Sequence, residues 1–235
     1  MGYLADGRVD AAFGQQGTTV VPTSGIDWRI AAQGRDGTIV VAGARIVTRP
    51  AQAMAIALAR FLPNGRLDRT FAGDGLLVTS ARPHWAGAIE LGIRPDGRIV
   101  IGTHGHAGER QGYRPPAHWD QIARVREAAG SIAVAERQGF ALVQFRRNGA
   151  LDRTFGSGGI AVSEVGYGVH GLALDGRGRI VAVGRTKSLL DFVVARYLPD
   201  GRRDRAFAAT VISWTARWPR RRGRARGGSR AARCR

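Results

Sequence analysis

The side chains best placed to do chemistry lie in a short stretch that the chain repeats. "LPNGRLDRTFAGDG" runs from Leu62 to Gly75 and sets Asn64, Asp68 and Asp74 among glycines. Three such oxygen donors suggest a cation loop, but their spacing is not that of an EF-hand. "RRNGALDRTFGSGG" at Arg146–Gly159 and "LPDGRRDRAFAATV" at Leu198–Val211 are further copies, and "LADGRVDAAFGQQG" at Leu4–Gly17 is a weaker one. Asp10, Asp68, Asp152 and Asp204 recur at one position, and Phe13, Phe71, Phe155 and Phe207 at another. Recurrence in every copy favours a structural role. Each Asp is expected to accept backbone N–H groups and fix a turn. Each Phe is expected to enter a core between units.

The remaining candidates are sparser. His104 and His106 form an H-x-H pair, with His118 further on. Without cysteines beside them they read as solvated loop histidines rather than a metal site. His84 and His170 stand singly. No G-x-S-x-G nucleophile pattern is present, and Cys234, the one cysteine, has no base beside it. The "GDGLL" and "GSGGI" glycines precede no helix that would hold a phosphate. The sequence therefore names no catalytic residue, metal or cofactor.

The scaffold is read from the repeat. The Phe positions are followed by a second anchor, "RDGTIVVAG" at Arg35–Gly43, "PDGRIVIG" at Pro95–Gly102 and "RGRIVAVG" at Arg177–Gly184. They are preceded by a third, "IALARF" from Ile56, "FALVQF" from Phe140 and "FVVARY" from Phe192. Each unit predicts four short strands, rich in Val, Ile, Leu and Phe and bounded by Gly, Asp, Asn and Pro. In the second unit these are "AIELGIRP", "RIVIG", "FALVQF" and, fourth, "ALDRTF" running on to "GIAVSE". Asn148-Gly149 is a strong hairpin signal, because a type I′ turn needs positive φ at both central residues. The 34 glycines in 235 residues suit a turn-rich all-β chain. A four-stranded repeat of about 50 residues is the arithmetic of a propeller.

The motifs "LARFLPNGRLDRTFAGDG", "FALVQFRRNGALDRTFGSGG", "FVVARYLPDGRRDRAF", "IRPDGRIVIG" and "GRGRIVAVG" resemble the delta-60 repeat, a bacterial repeat regarded as a β-propeller module. The resemblance covers most of residues 3–208 apart from an insertion. It departs at Arg177, where other units have Asp36 and Asp96, and at Ala208, where glycine is usual. It implies an all-β fold, a partial β-propeller of four-stranded antiparallel blades with a short helical insertion. It brings no catalytic residue with it.

The expected organisation is propeller repeats over 1–209, in units of about 3–61, 62–145 and 146–197 with a partial unit at 198–209. The insertion, 103–138, contains "HWDQIARVREAAG", read as a short helix. Residues 210–235 are read as a disordered Arg-rich tail. It holds nine arginines and no acid, half of the net +18, leaving 27 basic against 18 acidic residues in the body. The repeat count predicts a last unit one strand short. It suggests a truncated member, with the tail read out of frame, or one part of an oligomeric ring.

No apolar run reaches the length of a membrane span, and no signal peptide is visible at "MGYLADGRVD". Members of the resembled family are often exported, so the compartment stays open. The expected role is a non-enzymatic scaffold binding a protein or carbohydrate partner. The alternatives are a hydrolase or lyase with a central-channel site, and nucleic-acid association through Arg220, Arg221, Arg222, Arg224 and Arg226. The last would be steeply salt-dependent.

Overall fold

The computed structural model describes residues 1–47, 53–79, 90–104, 140–163, 168–186, 191–207 and 211–212. The described residues form twelve strands in three antiparallel sheets of four. Sheet 1 holds β1 (Ile26–Gln33), β2 (Ile39–Val47), β3 (Ala53–Phe61) and β4 (Leu76–Val78) in sequence order. Sheet 2 holds β5 (Glu90–Ile93), β6 (Ile99–His104), β7 (Phe140–Phe145) and β8 (Ile160–Ser163). Sheet 3 holds β9 (Gly168–Leu174), β10 (Ile180–Arg185), β11 (Phe192–Tyr197) and β12 (Val211–Ile212). The first strands of the sheets approach one another, β1 against β5 and β5 against β9. That is the inner side, and β4, β8 and β12 are the outer strands.

The strand patterns explain the stacking. Along β3 the bulky Ile56 and Leu58 point to one face and the small Ala55 and Ala57 to the other, as a period of two requires. Ile56 and Leu58 join Val40, Phe71 and Leu77 of sheet 1 and Ile99, Ile101, Val143 and Phe145 of sheet 2 in one core. Sheet 2 is covered on its other face too. Val100 and Leu142, in alternate register, pack with Phe155, Ile180, Val193 and Tyr197 in a second core shared with sheet 3. A strand buried on both faces cannot alternate apolar with polar, and β3, β6 and β7 do not.

The fourth strand is shorter than the sequence predicts. "ALDRTF" is not a strand. Leu151 makes one isolated bridge to Phe145, and the chain then turns, with the Phe155 amide donating to the Asp152 carbonyl at 3.0 Å. Only Ile160–Ser163 pairs with β7. The Asp-centred turn takes up residues that composition alone would give to a strand. Sheet 3 has a fourth strand where the repeat count leaves it one short, since β12 pairs with β11 through Phe192–Ile212 and Val193–Val211. That strand lies past residue 209, in the segment assigned by composition to the tail. The predicted helix within 103–138 and the five tail arginines lie outside the described residues, and no helix occurs among the described ones. No described helix is long and apolar enough to cross a membrane.

Phe71 and Phe155 are each wholly buried, one per inter-sheet core. Replacing either with Ala removes an aromatic ring from a space bounded by two sheets. We expect each to lose about 3–5 kcal/mol of unfolding free energy in urea titrations. A loss below about 1 kcal/mol would show that the sheets are held together some other way.

Candidate functional site

Each repeated Asp sits at the start of the turn after the third strand. Asp68 Oδ1 accepts the Thr70 amide at 3.0 Å and the Thr70 hydroxyl at 2.6 Å. Asp152 makes the same pair with Thr154, at 3.3 and 2.7 Å. Asp204 accepts the Ala206 amide at 3.1 Å, and Asp10 the Ala12 amide at 3.0 Å. The other oxygen faces a partner eight residues back, at the end of the third strand. Arg60 Nε donates to Asp68 Oδ2 at 2.8 Å, and Arg196 Nε to Asp204 Oδ2 at 2.8 Å. In sheet 2 the place is held by a neutral residue, with Gln144 Nε2 donating to Asp152 Oδ2 at 2.8 Å. The missing guanidinium comes from β5's end, where Arg94 Nε donates to Gln144 Oε1 at 2.7 Å.

These arginines reach the next sheet. Arg60 donates through Nη1 to the Arg147 carbonyl in the hairpin turn of sheet 2. Arg94 donates through Nη2 to the Pro199 carbonyl at 3.1 Å, and through Nη1 to the Gly178 carbonyl. The ring of each repeated Phe packs closely against the glycine of the next hairpin turn. A Cβ on Gly65 would meet the Phe13 ring at 2.8 Å, one on Gly149 the Phe71 ring at 3.1 Å, and one on Gly201 the Phe155 ring at 2.9 Å. The residue after each Phe donates its amide to the carbonyl before that glycine. These bonds run from Gly14 to Asn64 at 2.8 Å, Ala72 to Asn148 at 2.9 Å and Gly156 to Asp200 at 2.7 Å.

Burial pushes the Asp68 carboxyl up, but the Thr70 hydrogen bonds and the Arg60 charge outweigh it and hold the group below its ordinary value. Burial works the same way at Asp152, where Thr154, Gln144 and the Arg98 charge outweigh it. At Asp204 the opposing groups are Arg196 and the Ala206 amide. Glu90, at the start of β5, runs the other way. Burial raises its carboxyl, and the charge of His170 on β9 only partly opposes that. This pair lies on neighbouring inner strands, the side on which a channel enzyme would work.

The candidate cation loop does not use its oxygens on a common centre. Asn64 Oδ1 accepts the Arg66 amide at 3.1 Å and Asp74 Oδ1 the Leu76 amide at 3.0 Å, each within its own turn. Among the described residues no group of three or more His, Cys, Asp or Glu could hold a metal. His104 ends β6; His84, His106, His118 and Cys234 lie outside the described residues.

A groove of about 860 Å³ lies between sheets 2 and 3. Gly156, Ser157, Ile160, Ala161 and Val162 form one wall, and Leu198, Gly201, Arg202, Arg203 and Arg205 the other. Among the described residues its lining has three arginines and four aliphatic side chains, with no acid and no aromatic ring. Sequence reasoning did not assign roles to Arg60, Arg94, Gln144, Arg196 or these three arginines. The eight-residue spacing of Arg60 to Asp68 and Arg196 to Asp204 was the available signal. Gln144 hid it in the middle copy.

A family model described as "Domain of unknown function (DUF5122) beta-propeller" matches residues 34–71 and 178–207. Both segments begin in the turn after a first strand and end on the repeated Phe, so the likeness to the delta-60 repeat rests on equivalent parts of sheets 1 and 3. These two segments are similar to that β-propeller family, and they carry the likeness in sheets 1 and 3 of an all-β fold. Neither the curated proteins nor the solved structures contain a match.

Two outcomes are expected from the Asp nodes. Asp68→Ala strands a guanidinium whose side chain is 8% exposed, and should cost about 3–5 kcal/mol. Asp152→Ala leaves a neutral amide unpaired and should cost about 1–3 kcal/mol. Chemical denaturation of both variants checks the order, and an equal or reversed order would refute the charge argument. The second concerns pH. The folded Asp68, Asp152 and Asp204 bind protons less readily than the ordinary value of 3.8. Their contribution is therefore full above that value and lost as pH falls through the lower folded values. Stability should change little from pH 7 to 5 and decline below about 4, less so in the Asp68→Asn variant.

Proposed function

We propose that this chain is a non-enzymatic β-propeller scaffold whose groove between blades 2 and 3 binds an acidic stretch of a protein partner. The observation that carries the reading is the lining itself. Arg202, Arg203 and Arg205 line it together with Ile160, Ala161, Val162 and Leu198, with no carboxylate among the described lining residues. Arginine pairs with carboxylates in a forked geometry, and the aliphatic residues suit alternating apolar side chains. A carbohydrate would be better served by a ring on which its apolar face could stack, and the described lining offers none. Two of the three arginines are uncommitted: Arg202 pairs with Asp200 at 2.7 Å, while Arg203 and Arg205 form no ion pair among the described residues.

A fluorescent peptide of alternating Glu and Leu, titrated by anisotropy, tests the reading. The 235-residue chain should bind it, and the paired change Arg203→Glu with Arg205→Glu should weaken binding at least about tenfold while leaving the melting curve in place. Binding should also fall as salt rises. Failure to bind, or equal binding by the variant, sinks the proposal. Tighter binding of single-stranded DNA than of the peptide, weakened by the same paired change at Arg203 and Arg205, would assign the groove to nucleic acid instead.

A further inference from the structure

The blade joint has two halves, and each end of the described arc presents one of them unfilled. The receiving half is a hairpin turn with a glycine at positive φ. In Gly65, Gly149 and Gly201 that glycine is covered by the Phe of the preceding blade, at 2.8, 3.1 and 2.9 Å from the position of an added Cβ. The turn at Leu4–Gly7 has the same build. Gly7 has φ +85°, against +80°, +88° and +86° at the other three. Its amide donates to the Leu4 carbonyl at 2.9 Å, as the Gly65, Gly149 and Gly201 amides do to Leu62, Arg146 and Leu198. Yet among the described residues nothing lies within 4 Å of where a Gly7 Cβ would sit. Around it Tyr3, Leu4 and Val9 are 62, 44 and 46% exposed, whereas of the counterparts of Tyr3, Phe61 is half-buried and Phe145 and Tyr197 are buried.

The inserting half is at the other end. Arg196 and Phe207 of blade 3 stand as Arg60 and Phe71 do in blade 1. Each guanidinium lies over its Phe ring, at 4.5 Å for Arg196 and 5.0 Å for Arg60. Each donates through Nε to the turn Asp at 2.8 Å. Arg60 goes on to the hairpin carbonyl of the next blade. The Nη groups of Arg196 make no such bond among the described residues. Phe71 and Phe155 are wholly buried, and Phe207, like Phe13 at the other end of the series, is only partly so.

We propose that the Arg196–Phe207 face of one copy of this chain docks on the Leu4–Gly7 turn of a second copy, forming head-to-tail the joint that each chain already makes internally. Phe207 covers Gly7, and Arg196 donates to the Ala5 carbonyl, which stands two residues before its glycine as the Arg147 and Pro199 carbonyls do. The contact is heterologous, so it leaves one open half at each end of the pair and continues until a ring closes or a filament grows.

Analytical ultracentrifugation of the full chain over a range of concentrations tests this. The weight-average mass should rise with concentration from the 25.2 kDa of one chain to twice that or more. Gly7→Asn fills the receiving half with a residue that tolerates positive φ, in space that no described residue of its own chain occupies. Phe207→Ala empties the inserting half. Each variant alone should remain monomeric with an unchanged circular dichroism spectrum. Mixed in equal amounts they should form a dimer and stop there, because each supplies the half that the other lacks. A parent chain that stays monomeric at the highest concentration overturns the proposal. So does self-association of either folded variant to the parent's extent, or a mixture that does not pair. If one variant does not fold, the other mixed with the parent chain should still cut the mean size of the assemblies, and no change in size would overturn the proposal equally.

Discussion

The arrangement rests on one close approach, an aromatic ring packed against a backbone turn with no side chain in between. A hairpin can present bare backbone to a neighbour only if the facing residue is glycine, and glycine also supplies the positive φ of about 80–88° that the turn uses at Gly65, Gly149 and Gly201. One residue type therefore meets two demands, one conformational and one steric. The Phe then buries its ring and brings its following amide within 2.7–2.9 Å of the turn carbonyl. Apolar contact and a directional hydrogen bond come from adjacent atoms, which fixes the rotation of one sheet on the next as well as its distance.

The Asp node explains why the Phe is held so firmly. A carboxylate taken out of water is costly unless its oxygens are engaged. At Asp68, one oxygen is spent on the turn that carries Phe71 and the other on an arginine that continues to the neighbouring sheet. The turn, the third strand and the next hairpin are thereby tied through one residue. Sheet 2 keeps the geometry with different atoms. Gln144 occupies the arginine's place and Arg94 stands behind it, so the positive charge enters from the inner strand and its reach to Pro199 is preserved. The constraint lies in the position of donors, and the chain satisfies it by more than one route.

That freedom bears on what was legible from the sequence. Phe71, Phe155 and their Asp partners stood out because the same letter returns in each copy. Arg60 and Gln144 do the same job with different letters, so recurrence passed over them, and Arg94 contributes from a strand the motif does not include. The strand at 76–78 and the strand at 160–163 were shortened for a related reason. "LDRTF" carries β-forming residues, yet Asp caps a turn by local hydrogen bonds that compete with the ladder. β12 follows the last recognisable motif and shares no residue pattern with β4 or β8. The groove arginines at 202, 203 and 205 lay in full view within a copy, but only the packing of Gly201 against Phe155 shows that they face the outer edge of blade 2. The candidate site was invisible because it belongs to two units at once, and a repeat is read one unit at a time.

The charge balance connects scaffold to function. Among the described residues Asp6, Asp27, Asp36, Asp68, Asp96, Asp152, Asp175, Asp200 and Asp204 each face an arginine at 2.6–2.8 Å, except Asp152, whose nearest arginine is at 3.5 Å. Their pKa shifts, where one is resolved, are all downward. The acids are thus committed to turns and joints, and the arginines outnumber them. What is left over for a partner is positive, and it gathers where a hairpin turn carries more arginine than its own Asp can engage. Leu198–Arg205 is such a turn, with Asp200 and Asp204 set against Arg202, Arg203 and Arg205, and Asp204 already held by Arg196 from the strand below. That excess is the ground on which an acidic ligand is proposed for it. The scaffold's own need for carboxylates creates the cationic groove that the same turns display.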